Sequence, residues 1–260
     1  MSGSIAQLGQ SQLVGFMLVL ARVAPLFLLA PVFSSKMVPV RARSVIAVAL
    51  AIGIAPIALQ GAPEVPAEPL RLAGLLLKEA LVGLAFAFSI GLLFAAVASA
   101  GSLLDTIAGF SFGAVVDPIS GVQSGPIVQI YSMVGIAVFV AIGGDAWVIQ
   151  GLARTYELVP LLDAPSLGAL VSGAVAVFGG VFAAALEVAA PVLLALVLTD
   201  VAFGVVSRVV PQLNVFAVGF PVKIAVGVLV VGVSLPFVAD WLSDELAGSV
   251  ESALRSLRVA

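Results

Sequence analysis

The chain has 260 residues, of which 62% are apolar and only 10% carry a formal charge, and its mean hydropathy is +1.27. A soluble domain is about 45–50% apolar and about 25% charged, so this composition argues against an ordinary soluble enzyme and indicates a membrane-embedded protein. The absence of His and Cys excludes a histidine base, disulfides and thiolate-bound metal, and the net charge of −3 offers no basic field for nucleic acid. We therefore expect no enzymatic activity, no cofactor and no metal.

Apolar segments dominate the chain and predict an all-α, polytopic membrane-type fold. Residues 1–10 contain no Lys or Arg, so we expect the first segment to be a retained membrane helix rather than a cleaved secretory leader. Glu68-Pro69 ends a proline-rich loop and suits the start of a new helix. We count six segments, at roughly 11–33, 44–60, 70–100, 127–150, 167–200 and 219–239.

Small residues recur at every fourth position of the third segment, which places them on one helix face. Such a stripe lets helix backbones approach closely, so it predicts tight helix packing rather than a ligand site. Chance spacing in an alanine-rich chain is the alternative interpretation. The stripe consists of Gly83, Ala87, Gly91, Ala95 and Ser99.

The connection at 101–126 contains an apolar piece of only about ten residues, half of what a spanning helix needs. Within it, two aromatic rings stand between glycines, and an Asp-Pro pair then stops any helix. A flexible aromatic loop of this kind suits a plug that closes a pore by excluding water. An interfacial loop that is merely anchored by its phenylalanines fits equally well. The plug residues would be Gly109, Phe110, Ser111, Phe112, Gly113, Asp117 and Pro118.

The tail has apolar residues at helical spacing, with acids early and arginines late, which suits the helix dipole. It predicts an amphipathic C-terminal helix at about 240–258, which could lie on a membrane surface or dock on a partner. The apolar positions are Val238, Leu242, Leu246, Val250, Leu254 and Leu257.

Charges within apolar segments are costly at a bilayer centre, so such groups normally face protein or water. They could form a proton relay or transport site, or they could pair between helices or be buried against neighbouring subunits. Because the acids are scattered and form no repeated cluster, pairing or burial against subunits is favoured. The charges are Arg22, Glu79, Asp145, Glu187, Asp200 and Lys223.

The positive-inside rule places the Lys36, Arg41 and Arg43 loop in the cytoplasm. Simple alternation of six spans from there would send Arg255 and Arg258 outside, against the same rule. This conflict indicates either hairpins that do not cross or helices that stand within a protein assembly.

The stretch RVVPQLNVFAVGFPVKIAVG at 208–227 resembles a signature region of the flagellar export-gate family FliR and its injectisome counterparts. Further stretches occur in the same order as in that family: RVAP at 22–25, APVF at 30–33, VPVR at 38–41, KEALVG at 78–83, and Gly101, Asp105 and Gly109 leading to Phe112 and Asp117-Pro118. The resemblance covers nearly the whole chain and so predicts a single domain over 1–260.

The resemblance implies helical hairpins packed in a helical export-gate assembly of the flagellar basal body, in the bacterial inner membrane. It implies FliP and FliQ as core partners, FlhB and FlhA as neighbours, and unfolded flagellar export substrates as cargo. It also implies that the loop at 109–118 is the plug of the closed channel. Signature positions, with subunit packing as their expected role, are Arg208, Pro211, Gln212, Asn214, Phe216, Gly219, Pro221 and Lys223.

Two other interpretations remain open on the residues. An injectisome gate component would share fold and mechanism but export effectors; Val218-Gly-Phe-Pro221 leans towards the flagellar system. A stand-alone small-solute transporter would work as a monomer or homodimer. The scattered acids and the absence of a visible internal repeat argue against the transporter.

Overall fold

The described part of the chain is helical throughout. The computed structural model describes residues 2–34, 38–60, 68–110, 125–161, 163, 167–212 and 214–257, and in these ranges it contains eight α-helices and no strand. This confirms the predicted all-α fold. The helices are α1 (Ser2–Val23), α2 (Leu26–Leu29), α3 (Val40–Ala58), α4 (Pro69–Ala108), α5 (Pro126–Ala141), α6 (Gly144–Leu158), α7 (Leu167–Val209) and α8 (Val215–Leu257).

Five stretches are long and apolar enough to cross a membrane, and the bent pair α5 and α6 would add a sixth if it counts as one span. The prediction of about six apolar segments in a polytopic protein is therefore confirmed. The five stretches are Gln12–Leu29, Val40–Ala58, Pro69–Ala108, Leu170–Val209 and Ala217–Arg255.

Proline and glycine set several helix ends. Pro69 and Pro126 are the first residues of α4 and α5, a position where the missing N–H of proline costs nothing. The predicted helix start at Pro69 is thus confirmed. Gly143 separates α5 from α6 with a φ of +69°, a left-handed conformation that glycine adopts without strain.

Three helices are longer than the apolar pattern predicts. The third segment extends to Ala108, the fifth to Val209, and the sixth continues through the tail as a single helix that ends at Leu257. The tail is therefore the last part of α8, because no proline follows Pro236 and helical propensity continues where hydropathy falls. Its apolar positions Val238, Leu242, Leu246 and Val250 are buried within the chain.

The described helices group into two compact units, and the long helices contribute to both. The first unit comprises Met1–Leu92, Gly143–Phe178 and Leu246–Ala260. Part of its core is a cluster around the fully buried Val82 and Val159, with Leu158 and Leu170 packed against it. The helices α1, α3 and α6 and the first part of α4 belong to this unit.

The second unit comprises Leu93–Ile142 and Gly179–Glu245. Phe94 of α4 meets Phe139 of α5 edge to face, with ring centroids 5.5 Å apart. The hydroxyl groups of Tyr131 on α5 and Ser234 on α8 lie 3.5 Å apart. These contacts bring α4, α5 and α8 together, and this unit contains the base of the predicted plug loop.

Candidate functional site

Only the first two residues of the predicted plug lie in the described ranges. Gly109 follows α4 with a φ of +94°, and its N–H donates to the carbonyls of Asp105 and Thr106. A Cβ at this position would overlap the ring of Phe220 on α8. Phe110 is half-buried. The other predicted plug residues, Ser111, Phe112, Gly113, Asp117 and Pro118, lie outside the described residues.

Asp105 connects the two described ends of this loop. Its carboxylate is buried, and its two oxygens accept hydrogen bonds from the backbone N–H groups of Ile127 and Val128, each at 3.0 Å. The α4 end is thereby joined to the α5 start. In the sequence, Asp105 stands out only as part of the family resemblance. No local pattern predicts its hydrogen bonds to Ile127 and Val128, because these residues are 22 and 23 positions away along the chain.

The signature stretch forms one side of an antiparallel hairpin between α7 and α8. Cβ atoms added at Gly219 and Gly227 would contact the side chains of Phe203 and Leu196, at 3.5 and 3.4 Å. Between these contacts, Lys223 Nζ lies 2.6 Å from Asp200 Oδ2. As the contacts advance along α8 from Gly219 to Gly227, they move back along α7 from Phe203 to Leu196, so the two helices run antiparallel. Gly219 and Lys223 face α7 of their own chain.

The other signature positions lie at or near the exposed end of this hairpin. Arg208, Pro211 and Gln212 are exposed. Asn214 is also exposed, and its side-chain oxygen accepts the N–H of Ala217, so it caps the start of α8. Pro221 is exposed within α8; Phe216 lies in the first turn of the same helix. Their predicted role in subunit packing stays a prediction.

The small residues of the stripe on α4 differ in burial and in what they contact from one end of the stripe to the other. A Cβ at Gly83 would overlap the carbonyl oxygen of Arg22, and one at Gly91 would lie 3.2 Å from the carbonyl oxygen of Leu29. These two glycines let the backbone of α4 approach α1 and α2 closely. Ala87 is buried, whereas Ala95 is half-buried and Ser99 is exposed.

A buried ion pair lies where α1, α4 and α6 meet. Arg22 Nε donates to Glu79 Oε2 at 2.5 Å, and both side chains are 0% exposed. The guanidinium also donates to Thr155 Oγ1 and to the Val159 carbonyl, at 3.3 and 2.9 Å. It lies over the Tyr156 ring, 4.1 Å from the centroid. Arg22 therefore joins three helices.

Lys78 extends this group. Its Nζ donates to the carbonyls of Leu161 and Asp163. It also lies 3.0 Å from Glu79 Oε1, and among the described residues this ion pair is the polar contact of that oxygen. Two cations thus bind the carbonyls that follow α6, where the helix dipole is negative. Arg22 and Lys78 thus connect α1 and α4 to the segment that follows α6.

Four of the six charges noted in the apolar segments are therefore paired, as the favoured interpretation of the sequence expects. Asp145 and Glu187 are exposed. Within the described ranges, no group of three or more acidic, His or Cys residues could hold a metal ion. The features of the site are close helix contacts and a loop base.

Comparison with known proteins identifies relatives along most of the chain. The family model described as "Bacterial export proteins, family 1" matches residues 13–248. The flagellar biosynthetic protein FliR of Bacillus subtilis (strain 168) is 34% identical over 230 residues, which cover 86% of this chain and 87% of that protein. FliR of Escherichia coli (strain K12) is 29% identical over 222 residues, covering 85% and 84%.

A relative from a second group is the surface presentation of antigens protein SpaR of Salmonella typhimurium (strain LT2). It is 30% identical over 212 residues, which cover 81% of this chain and 78% of that protein. The family model and these relatives all match most of the chain, and the range matched by the family model includes the signature stretch and the loop base. The chain belongs to the FliR/SctT family of bacterial export proteins.

Proposed function

We propose that this chain is a non-enzymatic component of the export gate of a flagellar type III protein secretion apparatus, required for flagellum assembly. The observation that carries the proposal is the family match over residues 13–248 together with flagellar relatives that align over most of the chain. The proposed location is the bacterial inner membrane, in the flagellar basal body. The five long apolar stretches support a membrane location.

The uncovered apolar surface supports an assembly rather than a solitary membrane protein. At about 1.5 Å per residue, the 43 residues of α7 span roughly 64 Å, about twice the hydrocarbon thickness of a bilayer. Exposed large apolar side chains nevertheless continue along α7, from Val171 through Phe182 and Leu194 to Val209. A surface of that length extends beyond what lipid covers, so neighbouring protein subunits would cover the remainder.

The proposed partners follow from membership of the family. FliP and FliQ would surround this chain in the core gate, with FlhB and FlhA adjacent, and unfolded flagellar subunits would pass through the channel. The exposed hairpin end with Arg208 offers one contact surface for these partners. Since the sequence has no GxxxxGK[ST] phosphate loop, the energy for export would come from partners or from the proton gradient.

The loop at 109–118 would plug the resting channel. Gly109 provides a turn that most other residues cannot adopt without strain, and it directs the chain away from α4 at Phe110. Phe110 and Phe112 would exclude water from the pore and swing aside when a substrate enters.

An injectisome gate component is the second candidate, and the similarity to SpaR is the observation that favours it. The two systems share the proposed mechanism and differ in cargo. Introducing the gene into a strain that lacks FliR separates them, because a flagellar component restores motility. Restored effector secretion in a strain that lacks SpaR, without restored motility, would favour the injectisome.

The plug is tested by deleting residues 109–116 from the chain in the assembled gate. We expect cells to leak small ions, because the loop would no longer block the channel, while the amount of purified complex with FliP and FliQ stays unchanged. The measurement is ion conductance of the inner membrane, together with the mass of the complex.

A point variant provides a matched comparison. Phe110→Ala with Phe112→Ala removes only the two rings and is expected to leak as the deletion does, whereas Phe237→Ala removes an exposed ring from α8 and is expected to leave conductance unchanged. Wild-type conductance in both the deletion and the double variant would show that this loop is not the plug.

A further inference from the structure

We infer that Asp105 is the positioning residue of the proposed plug: its carboxylate ties the end of α4 to the start of α5 and so holds both ends of the plug loop together. The inference rests on the proposed function of that loop. Its structural part depends only on described residues, namely Asp105, Gly101, Gly109, Gly125 and the first turn of α5.

The charge of Asp105 is unfavourable at the end of its own helix, α4, and favourable beside the start of α5. It lies in the last turn of α4, where the negative end of the helix dipole disfavours an acid. Its two oxygens accept the first free N–H groups of α5, Ile127 and Val128, where the dipole favours a negative charge. The residue preceding α5, Gly125, has no side chain to cap it. Asp105 therefore supplies the missing cap from another helix.

Two glycines make this contact possible. A Cβ at Gly125 would overlap the Asp105 carboxylate, and a Cβ at Gly101 would lie 2.7 Å from Val128 Cα. The backbones of α4 and α5 are thus closer here than side chains would allow. Because Asp105 is only 3% exposed, water cannot replace its hydrogen bonds without local opening.

The α4 end is also supported from α8. The Phe220 ring packs on Gly109, directly after α4 and directly before Phe110. About two turns of α8 further on, Gly227 faces Ala108, and a Cβ there would lie 3.7 Å from the alanine Cβ. The loop base is therefore fixed on the α4 side by packing, whereas on the α5 side Asp105 provides the hydrogen bonds. Loosening Asp105 should release the α5 side first.

The experiment uses Asp105→Asn in the full chain within its complex. An asparagine can accept one of the two N–H groups, but its NH2 group would face the other, which leaves a buried donor unpaired. We expect the population with separated loop ends to rise about 5- to 150-fold. Because the chain has no cysteine, spin labels on Ser102→Cys and Ile130→Cys would report the distance between the two helix ends alone.

Two variants accompany it. Gly101→Ala pushes α4 and α5 apart at the same place while it leaves the carboxylate intact, so it is expected to broaden the label distances and raise ion leak as Asp105→Asn does. Asp240→Asn makes the same chemical change at an exposed position of α8 and is expected to do neither. The amount of assembled complex serves as the check that each variant folds.

The outcomes separate the inference from the plug proposal. Broadened distances and raised leak in Asp105→Asn, with complex yield retained, support the inference. Unchanged distances and leak in Asp105→Asn, in a gate that leaks when residues 109–116 are deleted, would overturn the role of Asp105 and leave the plug intact. If the label distances broaden in Asp105→Asn but no variant leaks ions, not even the deletion of residues 109–116, the loop is not a plug. That result would also overturn the positioning role of Asp105.

Discussion

Two arginines of this chain have opposite surroundings. Arg22 is completely buried and has an acid, a hydroxyl, a carbonyl and an aromatic ring as partners. Arg208 is exposed near the end of the α7–α8 hairpin, and within the described ranges no hydrogen bond or ion pair engages its guanidinium. Arg22 stabilises its own chain, whereas Arg208 is available to another molecule.

The helices around the two arginines differ in the same way. In the apolar stretch of α4, which carries Glu79, 61% is buried within the chain, whereas the corresponding fraction in α7, which carries Arg208, is 33%. Val209, next to Arg208, is 75% exposed. The chain itself thus covers most of α4 around Glu79, whereas the helix that carries Arg208 leaves most of its surface to lipid or protein. Three substitutions test this comparison.

The largest expected effect is that of Arg22→Ala. Removing the guanidinium leaves the buried Glu79 Oε2 without its donor, with Lys78 as the remaining cation beside this carboxylate, and breaking a buried ion pair typically costs about 3–5 kcal/mol. The thermal midpoint and yield of the detergent-solubilised chain should fall sharply. Arg255→Ala, which breaks an exposed pair with Glu251, is the matched control and should change neither.

A second substitution separates charge from packing at this place. Adding Glu79→Gln to Arg22→Ala removes the buried carboxylate that has lost its arginine and is expected to recover part of the lost stability, since Lys78 keeps its bonds to the Leu161 and Asp163 carbonyls. A midpoint for Arg22→Ala equal to that of the wild type would contradict the central role of the buried pair.

An intermediate effect is expected for Gly83→Ala. The added methyl group would overlap the Arg22 carbonyl and force α1 and α4 apart, at a cost of about 1–3 kcal/mol. Gly74→Ala on the same helix is the control. It meets no atom within 4 Å and should be neutral or stabilising by about 0.4–1 kcal/mol. The thermal unfolding midpoints of the two variants measure the difference. Equal midpoints would show that α1 and α4 are not in close contact at Gly83.

The smallest effect on the chain itself is expected for Arg208→Ala, because within the described residues this side chain has no hydrogen bond or ion pair to lose. Its effect should appear only in a lower yield of complex with FliP and FliQ. Asn214→Ala is the contrasting variant, since it removes the cap of α8 and should cost about 1 kcal/mol of stability in the isolated chain. Undiminished complex yield with Arg208→Ala would count against a role in subunit packing.

Sequence patterns predicted the helical segments well and the helix lengths less well. Apolar runs marked where α3, α4 and α7 begin, because membrane-length hydrophobicity and proline act locally along the chain. They underestimated where α4 and α7 end and treated the last part of α8 as separate. Hydropathy falls there while the helix continues, since the backbone hydrogen bonds of a helix need no apolar side chains.

The loop base was predicted only in part. The glycine and phenylalanine pattern drew attention to Gly109 and Phe110, whereas the contact of Gly109 with Phe220 and the binding of α5 by Asp105 appear only in the structure. Similarly, Asn214 was recognised as a signature position before its capping role could be known.

The sequence by itself determined that this chain is apolar, helical, without His and Cys, and similar to an export family, since composition, periodicity and motifs are local properties. Only the tertiary structure decided that Arg22 pairs with Glu79, 57 residues away, and that Lys223 pairs with Asp200. It also decided that Asp105 caps α5. These partners depend on which helix faces meet and how closely, and contacts between distant residues are set by packing of the whole chain rather than by any short segment.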